Sequence, residues 1–284
     1  MERIKMVLPK GRMMKNVIEI LHEAGYDVNI NDRDYRPSIN TPEMEVKLMK
    51  PQNIPELVAL GSHDIGFTGY DWIRETGSDV EEIMDLKFDT VSIVAAVPED
   101  ADIGELKKRK IIVASEYENI SREFLDRKGY DYHFLRTYGA TEVFPPEDAD
   151  MIIDNTSTGK TLKDNKLKIV ETILESSTRF VANKESMKDP RKREIVEKMK
   201  LLFNSINDAR ERVVLEMNVP GEIFDEIIST LPSMRSPTVS PLYGKTGYAV
   251  KVAVRRTQAQ EIIPVLKAKG VKDILEYDVR KVIS

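Results

Sequence analysis

Residues 4–25 read IKMVLPKGRMMKNVIEILHEAG, and this stretch decides the fold class. The apolar run IKMVLP is typical of a buried strand, and the apolar positions that follow the turn have helical spacing. The turn itself, Lys10-Gly11-Arg12, brings two cations and backbone N–H groups to the start of the helix. Because a helix N-terminus attracts anions, the turn favours an anion ligand, with an exposed turn as the alternative.

Strand and helix patterns then alternate along the chain. The strand MEVKLM, the helix IPELVAL, the strand DIGFTG and a helix near Tyr70 follow the opening unit, and VSIVAAVP, IIVAS and MIID read as strands of a second unit. This alternation predicts an α/β protein with a mainly parallel sheet covered on both faces. Residues 172–182 are predicted to return to the first unit, which would leave a cleft between two lobes.

The C-terminal part of the chain has a different pattern. The order there is strand RVVLEMNV, helix GEIFDEIISTL, strand PTVSPLY, strand YAVKVAVR, helix QAQEIIPVLKAKG and strand DILEYDV. It predicts the β-α-β-β-α-β arrangement of a ferredoxin-like module as a separate small domain. Binding of a regulator, a role in assembly and a plain structural cap remain open for such a domain.

Composition excludes several classes of function. The 284 residues contain no cysteine, so disulfides, thiol catalysis and thiolate metal sites are excluded. No apolar stretch approaches the ~20 residues of a membrane span, and we expect a cytoplasmic protein without a membrane partner. The net charge of −5 gives no overall basic field for nucleic acid. The charged residues 184–200 predict a solvated helix rather than a basic arm, because acids are interleaved with the bases.

The stretch MIIDNTSTGKTL, residues 151–162, places an acid after an apolar run and before a loop of hydroxyl residues. A nucleotide triphosphatase loop requires glycine five residues before Gly159, and that position is Asp154. The pattern therefore favours a ribose 5-phosphate, whose phosphate would bind the loop while Asp154 accepts hydrogen bonds from ribose hydroxyls. A polar turn in which Asp154 or Asn155 caps a helix is the alternative.

No covalent nucleophile is indicated, because there is neither a Gly-x-Ser-x-Gly elbow nor a cysteine.

Four segments resemble in order the long-form ATP phosphoribosyltransferase family of histidine biosynthesis: MVLPKGRMMKNVIEILHEAGYDV, IPELVALGSHDIGFTGYD, YGATEVFPPEDADMIIDNTSTGKTLKDNKL and LPSMRSPTVSPLYG. The most specific part runs from Glu142 to Leu162 and contains Asp-x-x-Ser-x-Gly-x-Thr-Leu. The resemblance covers essentially the whole chain.

The resemblance implies the condensation of ATP with phosphoribosyl pyrophosphate to N1-phosphoribosyl-ATP and pyrophosphate, with Mg²⁺ required. It implies that the cleft contains Glu142 and Asp154 as catalytic residues, with Glu142 the nearest candidate for a general base. The implied phosphoribosyl pyrophosphate contacts are Asp154, Asn155, Thr156, Ser157, Thr158, Gly159, Lys160 and Thr161. The implied ATP contacts are Lys10, Gly11, Arg12 and Asp71. The protein itself supplies no predicted metal ligand, because Mg²⁺ would be carried by the substrate.

The resemblance also implies a two-lobed periplasmic-binding-protein-like core with a C-terminal ferredoxin-like, ACT-like regulatory domain. We predict lobe I over residues 1–90, completed by about 179–208, lobe II over 91–178, and the regulatory domain over 209–284. Histidine is the expected inhibitor, with Asn218, Met234, Ser236, Thr238 and Asp273 as candidate contacts. A homo-oligomer, dimeric or hexameric, is expected.

Several positions depart from the family pattern. Asn155, Thr156 and Lys160 stand where the family is often apolar or small, and Lys50 stands where arginine is common. Lysine cannot reproduce a bidentate arginine contact, so the roles of Lys50 and Lys160 stay open. Asn218 stands where an acid can occur, which leaves the strength of inhibition open. A non-catalytic, ligand-binding regulatory homologue is the alternative function.

Overall fold

The structure is a computed structural model that describes residues 3–30, 35–232, 234 and 236–283. Two positions of the segment LPSMRSPTVSPLYG, Ser233 and Arg235, lie outside the described residues, as do the chain ends at 1 and 284. The chain forms two compact units, Met1–Val196 and Glu197–Ser284.

Most of the predicted elements are present. The strands are β1 Ile4–Pro9, β2 Val28–Asn29, β3 Ser38–Ile39, β4 Met44–Met49, β5 Ile65–Gly69, β6 Glu81–Asp85, β7 Val91–Pro98, β8 Ile111–Ser115, β9 Tyr132–Arg136, β10 Met151–Thr156, β11 Leu167–Ser176, β12 Thr178–Ala182, β13 Arg212–Pro220, β14 Thr238–Pro241, β15 Gly247–Arg255 and β16 Lys272–Asp278. The helices are α1 Met14–Glu23, α2 Ile54–Ala59, α3 Tyr70–Thr76, α4 Ile103–Leu106, α5 Glu118–Lys128, α6 Lys160–Asp164, α7 Pro190–Arg210, α8 Phe224–Thr230 and α9 Arg256–Ala268. Short 3₁₀ helices span Pro51–Asn53, Thr141–Val143, Ser186–Lys188, Gly221–Ile223 and Tyr243–Lys245.

The first unit contains two five-stranded sheets. Their strand orders are β4-β1-β5-β12-β6 and β11-β7-β10-β8-β9. In the first sheet β4, β1 and β5 are parallel, whereas β12 runs antiparallel to both β5 and β6. In the second sheet β10, β8 and β9 are parallel, whereas β7 runs antiparallel to both β10 and β11.

In each sheet four of the five strands run in one direction and one strand runs against them, β12 in the first sheet and β7 in the second, so the prediction of a mainly parallel sheet is confirmed for strand direction. The single antiparallel strand, which the prediction did not include, results from the path of the chain. β7 follows β6 of the first sheet, and β12 follows β11 of the second, so each strand enters its sheet from the other one. Apolar patterning shows which segments are strands but carries no information about the direction from which a strand arrives.

Two crossings thus join the sheets. The first, residues 86–90, contains Lys87 and Asp89 with positive φ values of 61° and 53°. The second, residues 176–178, consists of buried hydroxyl residues, Ser176, Ser177 and Thr178. The described backbone confirms the predicted return of residues 172–182 to the first sheet, where β12 pairs with β5.

The central strands are almost wholly buried, which explains their continuous apolar sequences. All but one residue of β1 is buried, and six of the eight residues of β7 are buried. Strands that are covered on both faces lack the alternation of half-exposed strands. Phe67 of β5 stacks on Phe180 of β12, with ring centroids 5.0 Å apart, and closes the core around the first sheet.

The second unit has the element order β13-α8-β14-β15-α9-β16. Its strands form an antiparallel sheet in the order β14-β15-β13-β16. Burial alternates strictly along β13, as expected when one sheet face packs on helices. The apolar core contains Val213, Leu215, Met217 and Val219 of β13 and Ile227, Ala259 and Leu266 of the helices.

Helix α7 confirms the prediction of a solvated helix for the charged stretch, which it covers from Pro190 onward. Val196, Met199, Phe203 and Ile206 are buried on its inner side, whereas Ile195 and Leu202 are partly buried. Among the described residues, no helix is both long enough and apolar enough to cross a membrane.

Candidate active site

The loop after β10, which ends at Gly159, is held by hydrogen bonds between residues that are close in the sequence. Gly159 has φ +72°, a left-handed conformation that glycine adopts without strain, and it begins α6 at Lys160. Within the loop, the Gly159 N–H donates to Thr156 Oγ1 at 2.9 Å and the Lys160 N–H to Thr158 Oγ1 at 3.4 Å. The threonine hydroxyls therefore satisfy two of the backbone donors that a phosphate would use.

Asp154 lies at the base of this loop, next to other acids. Its carboxylate accepts hydrogen bonds from the Asn155 N–H at 2.7 Å and from the Asn155 side-chain amide at 3.2 Å. Burial raises the pKa of Asp154 to about 6, and repulsion from Glu116 and Glu142 adds to the rise. The site therefore holds a carboxylate whose charge is poorly compensated by the protein alone.

Glu142 follows a tight turn at Gly139 and Ala140, both of which have positive φ. The hydroxyls of Thr137 and Thr141 are hydrogen bonded at 2.9 Å and fix this turn. Thr141 also donates to Asp154. The turn thus brings Glu142 close enough to Asp154 for their charges to interact.

The basic turn forms one wall of a cavity of about 310 Å³. Lys10 and Arg12 line the cavity from the first sheet, and Asn155 lines it from the second. Lys10 Nζ lies 3.3 Å from the centroid of the Tyr35 ring. One cavity therefore brings together the basic turn and the start of the loop after β10.

Asp71 lies in this cavity wall but is occupied by hydrogen bonds. It is 4% exposed, and its carboxylate accepts from Tyr117 Oη at 2.8 Å and from Ser176 Oγ at 2.6 Å. The adjacent Gly69 has no space for a side chain, because an added Cβ would lie 2.1 Å from Asp71 Oδ1. The structure therefore places Asp71 as a link between the two sheets, at the edge of the predicted ATP site.

Asp89 anchors the basic turn to both crossings. It accepts from Asn16 Nδ2 of α1 at 2.7 Å and from Thr178 Oγ1 at 3.2 Å. Because Asn16 lies in the first turn of α1, these bonds fix the start of the helix that follows Lys10, Gly11 and Arg12. A carboxylate at a crossing with positive φ gave no recognisable signal in the sequence.

Tyr117 connects Asp71 to the loop after β10. Its hydroxyl donates to Asp71 and accepts from Asn155 Nδ2 at 3.2 Å. Burial, followed by the charge and the hydrogen bond of Asp71, raises the pKa of Tyr117 well above its ordinary value. Tyr117 therefore stays neutral. Its ring also stacks on the ring of Trp72, with centroids 4.5 Å apart.

These features can be compared with known proteins. The sequence model of the ATP phosphoribosyltransferase family matches residues 50–206, and the model described as "HisG, C-terminal domain" matches residues 209–281. The chain belongs to the ATP phosphoribosyltransferase family. It is therefore an enzyme that transfers a pentosyl group, and the family predicted from the four segments is confirmed.

Curated relatives agree over the full length. The ATP phosphoribosyltransferase of Chlorobium phaeovibrioides is 41% identical over 99% of this chain and 98% of its own. That of Pelotomaculum thermopropionicum is 40% identical over 99% of both chains. A solved ATP phosphoribosyl transferase (HisG:HisZ) complex from Thermotoga maritima has a TM-score of 0.64 at 24% identity, over 71% of this chain and 98% of that one, and shows the same fold.

A second cavity, of about 450 Å³, adjoins the phosphoribosyltransferase cleft. Lys50 and Arg136 are its cations, Glu116 and Glu75 are acids in its wall, and Trp72 supplies an aromatic face. Lys50 thus lies where it can contact an anion. Apart from Lys50, sequence reasoning missed these residues, because they lie far apart in the chain without a shared motif.

No cluster of three or more His, Asp or Glu side chains that could hold a metal ion occurs among the described residues. The carboxylates of Asp71 and Asp89 already accept hydrogen bonds from protein donors. Glu116 and Glu142 are further acids of this part of the molecule, and each lies close enough to Asp154 for their charges to repel.

In the second unit, the structure brings some of the predicted histidine contacts together. Asn218 Nδ2 donates to Asp273 Oδ2 at 2.8 Å. Strand register places Thr238 on the same sheet face as Asn218, the face opposite the apolar core. Met234 donates its N–H to the Ala253 carbonyl at 3.3 Å, and Ser236 is exposed in the segment that leads to β14. No direct contact joins Met234 or Ser236 to the Asn218–Asp273 pair among the described hydrogen bonds.

Proposed function

We propose that the chain condenses ATP with phosphoribosyl pyrophosphate to give N1-phosphoribosyl-ATP and pyrophosphate, the first step of histidine biosynthesis. The observation that carries this reaction is the single cavity lined by Lys10 and Arg12 on one side and Asn155 on the other. The loop from Asp154 to Thr161 binds the ribose 5-phosphate, and the basic turn faces the phosphates of the leaving group or of ATP.

Charge separation across the cleft suits this chemistry. N1 of adenine attacks the anomeric carbon as its bond to pyrophosphate breaks, so positive charge develops on the ribose and negative charge on the leaving group. Asp154, with Glu142 and Glu116 near it, stabilises the positive charge on the ribose. Lys10 and Arg12 stabilise the negative charge on the leaving group. Positioning and electrostatics supply the rate enhancement without a covalent intermediate.

Mg²⁺ fits this site as a partner of the substrate. Magnesium commonly binds through one or two carboxylates together with substrate phosphates, and Glu116 and Asp154 are the protein groups that would contact it. When bound, the ion neutralises charge on the pyrophosphate. Burial, together with repulsion from Glu116 and Glu142, raises the pKa of Asp154, and a cation at this place would offset that cost.

We further propose that the core is two-lobed and periplasmic-binding-protein-like, with lobes near residues 1–90 and 91–178 and a return by about 179–208. The two mixed sheets and the two crossings support this division. We propose that residues 209–284 form a ferredoxin-like, ACT-like domain that binds histidine and inhibits. The β-α-β-β-α-β order and the strand order β14-β15-β13-β16 support the topology. Assembly into dimers and hexamers belongs to the same proposal.

The test of the reaction is direct. The protein is mixed with ATP, phosphoribosyl pyrophosphate and Mg²⁺, with pyrophosphatase present to remove product, and the ultraviolet absorbance of the adduct is followed. We expect adduct formation that requires both substrates and no phosphate release from ATP alone. Binding of both substrates in calorimetry without turnover would instead favour the non-catalytic homologue.

A further inference from the structure

Helix α5 begins at the cleft but lacks a cap of its own. Its N-cap residue, Tyr117, makes no side-chain capping hydrogen bond. The first N–H groups of a helix need acceptors, and here a residue of another helix supplies them. The N–H of Asn119 donates to Glu75 Oε1 and that of Ile120 to Glu75 Oε2, both at 3.1 Å.

Glu75 is buried, and both of its carboxylate oxygens accept hydrogen bonds from the start of α5. It is 6% exposed, and its backbone carbonyl accepts a further hydrogen bond from Asn119 Nδ2 at 2.6 Å. Burial raises the pKa of Glu75, whereas the amides of α5 lower it. Two amides and the positive end of the helix dipole together provide the partners that a buried carboxylate requires.

The contact joins the two sheets. Helix α3, which carries Glu75, follows β5 of the first sheet, whereas α5 lies between β8 and β9 of the second. Trp72, also on α3, packs against the apolar core of the second sheet and stacks on Tyr117. Asp71 accepts from Tyr117 Oη, so three residues of α3 hold the segment that begins α5.

The segment that begins α5 contacts loop 154–161, the proposed phosphoribosyl loop, through a hydrogen bond. Tyr117 Oη accepts from Asn155 Nδ2, and Asn155 is the second residue of the loop. A shift at the start of α5 would move Tyr117, remove the partner of Asn155 and change the orientation of the loop. Displacement of a binding group by about 1 Å is enough to reduce catalysis strongly.

We propose that Glu75 is a positioning residue for phosphoribosyl transfer, acting by capping α5 and thereby holding Tyr117 against Asn155. The role rests on the proposed function of loop 154–161. It is separate from the binding groups themselves, because Glu75 acts through α5 rather than through the loop.

The test compares Glu75→Gln with a matched control, Glu123→Gln. Glu123 lies at the same junction of α3 and α5, where it pairs with Arg74 at 3.3 Å, but it is exposed. We expect Glu75→Gln to raise KM for phosphoribosyl pyrophosphate about tenfold and to leave KM for ATP nearly unchanged. Glu123→Gln should leave both constants unchanged.

A second readout does not depend on activity. Trp72 is the single tryptophan of the chain, so tryptophan emission reports on the stack with Tyr117. We expect phosphoribosyl pyrophosphate to change this emission in the wild-type chain and to change it less in Glu75→Gln. In a double-mutant cycle, Glu75→Gln and Asn155→Ala should be non-additive in kcat/KM for phosphoribosyl pyrophosphate.

Wild-type substrate constants and a wild-type emission response in Glu75→Gln would overturn the proposal. An additive double-mutant cycle would also overturn it. A lower Tm with equal effects on both KM values would do the same, because it would indicate that the cap stabilises the fold without positioning the loop. If the wild-type chain neither binds phosphoribosyl pyrophosphate nor forms adduct, the proposed function fails as well. An active wild-type chain with an unaffected Glu75→Gln removes only the positioning role.

Discussion

We expect the charge of Asp154 to lower the stability of the fold and to promote phosphoribosyl transfer, and a change of pH separates the two effects. Its pKa is raised from 3.8 to about 6 on folding. The folded chain therefore binds more protons than the unfolded chain between these values, and the free energy of unfolding falls as pH rises through the window. We predict that Asp154→Asn raises the free energy of unfolding at pH 7 by on the order of 2 kcal/mol, and by little near pH 4.

The same substitution should reduce turnover. Loss of a charged acceptor for the ribose hydroxyls is expected to lower kcat/KM for phosphoribosyl pyrophosphate about 10- to 100-fold. In the wild-type chain this constant should fall as pH drops through about 6, where Asp154 becomes protonated. Denaturant unfolding and adduct kinetics over pH check both effects, with the exposed Asp164→Asn as the control. An Asp154→Asn chain with normal kinetics would contradict the assignment.

Gly159 is the second residue whose role has a sharp test. Its φ of +72° is strained for a β-branched residue, so Gly159→Val should cost about 1 to 2 kcal/mol and disorganise the loop. Gly129→Val is a matched control, because Gly129 has the same φ of 72° at the end of α5 and an added Cβ meets no atom within 4 Å. We expect similar losses of Tm in both variants but loss of phosphoribosyl pyrophosphate binding in Gly159→Val alone, as measured by calorimetry.

At the residue scale, sequence patterns identified groups that act locally. Asp154 could be singled out because its meaning depends on its distance from Gly159 along the chain. The sequence did not identify Tyr117, Trp72 and Glu75. Their contacts join α3 to α5, which are distant in the chain, so no sequence spacing indicates them.

At the scale of elements, β14 and the segment before it carry the predicted regulatory contacts. Thr238 lies on the open face of the sheet, and the core beneath it contains other residues. Thr238→Ala should therefore leave uninhibited turnover unchanged and weaken inhibition by histidine several-fold, about the effect of one lost hydrogen bond. Inhibition curves check this, with the exposed Ser229→Ala on α8 as the control. Unchanged inhibition in Thr238→Ala would remove this residue from the regulatory site.

The elements themselves were largely predictable, whereas their pairing was not. The strand IKMVLP coincides with β1 and VSIVAAVP with β7, because buried strands have long apolar runs. The short strand β6, with the sequence EEIMD, was missed because most of its side chains are polar or acidic. It is a strand because it pairs with β12, an effect of tertiary structure that overrides local preference.

At the scale of the whole molecule, the two units predict separate footprints for separate ligands. Amide hydrogen exchange should show protection by phosphoribosyl pyrophosphate within Met1–Val196, strongest at residues 154–161. Histidine should protect Glu197–Ser284 first, around residues 218 and 234–238. Protection of loop 154–161 by histidine without any protection in the second unit would mean that histidine competes at the catalytic site.

The internal hydrogen bonds of the phosphoribosyl loop have a consequence for selectivity. Because Thr156 and Thr158 already accept from the amides of Gly159 and Lys160, an incoming anion exchanges bonds instead of adding them. A small inorganic anion that merely replaces the two hydroxyls gains little from the exchange. On the proposed assignment of loop 154–161, a sugar phosphate should gain more, because its ribose hydroxyls would reach Asp154 at the same time. We therefore expect inorganic phosphate alone to bind this loop weakly, because it must displace the two threonine hydroxyls.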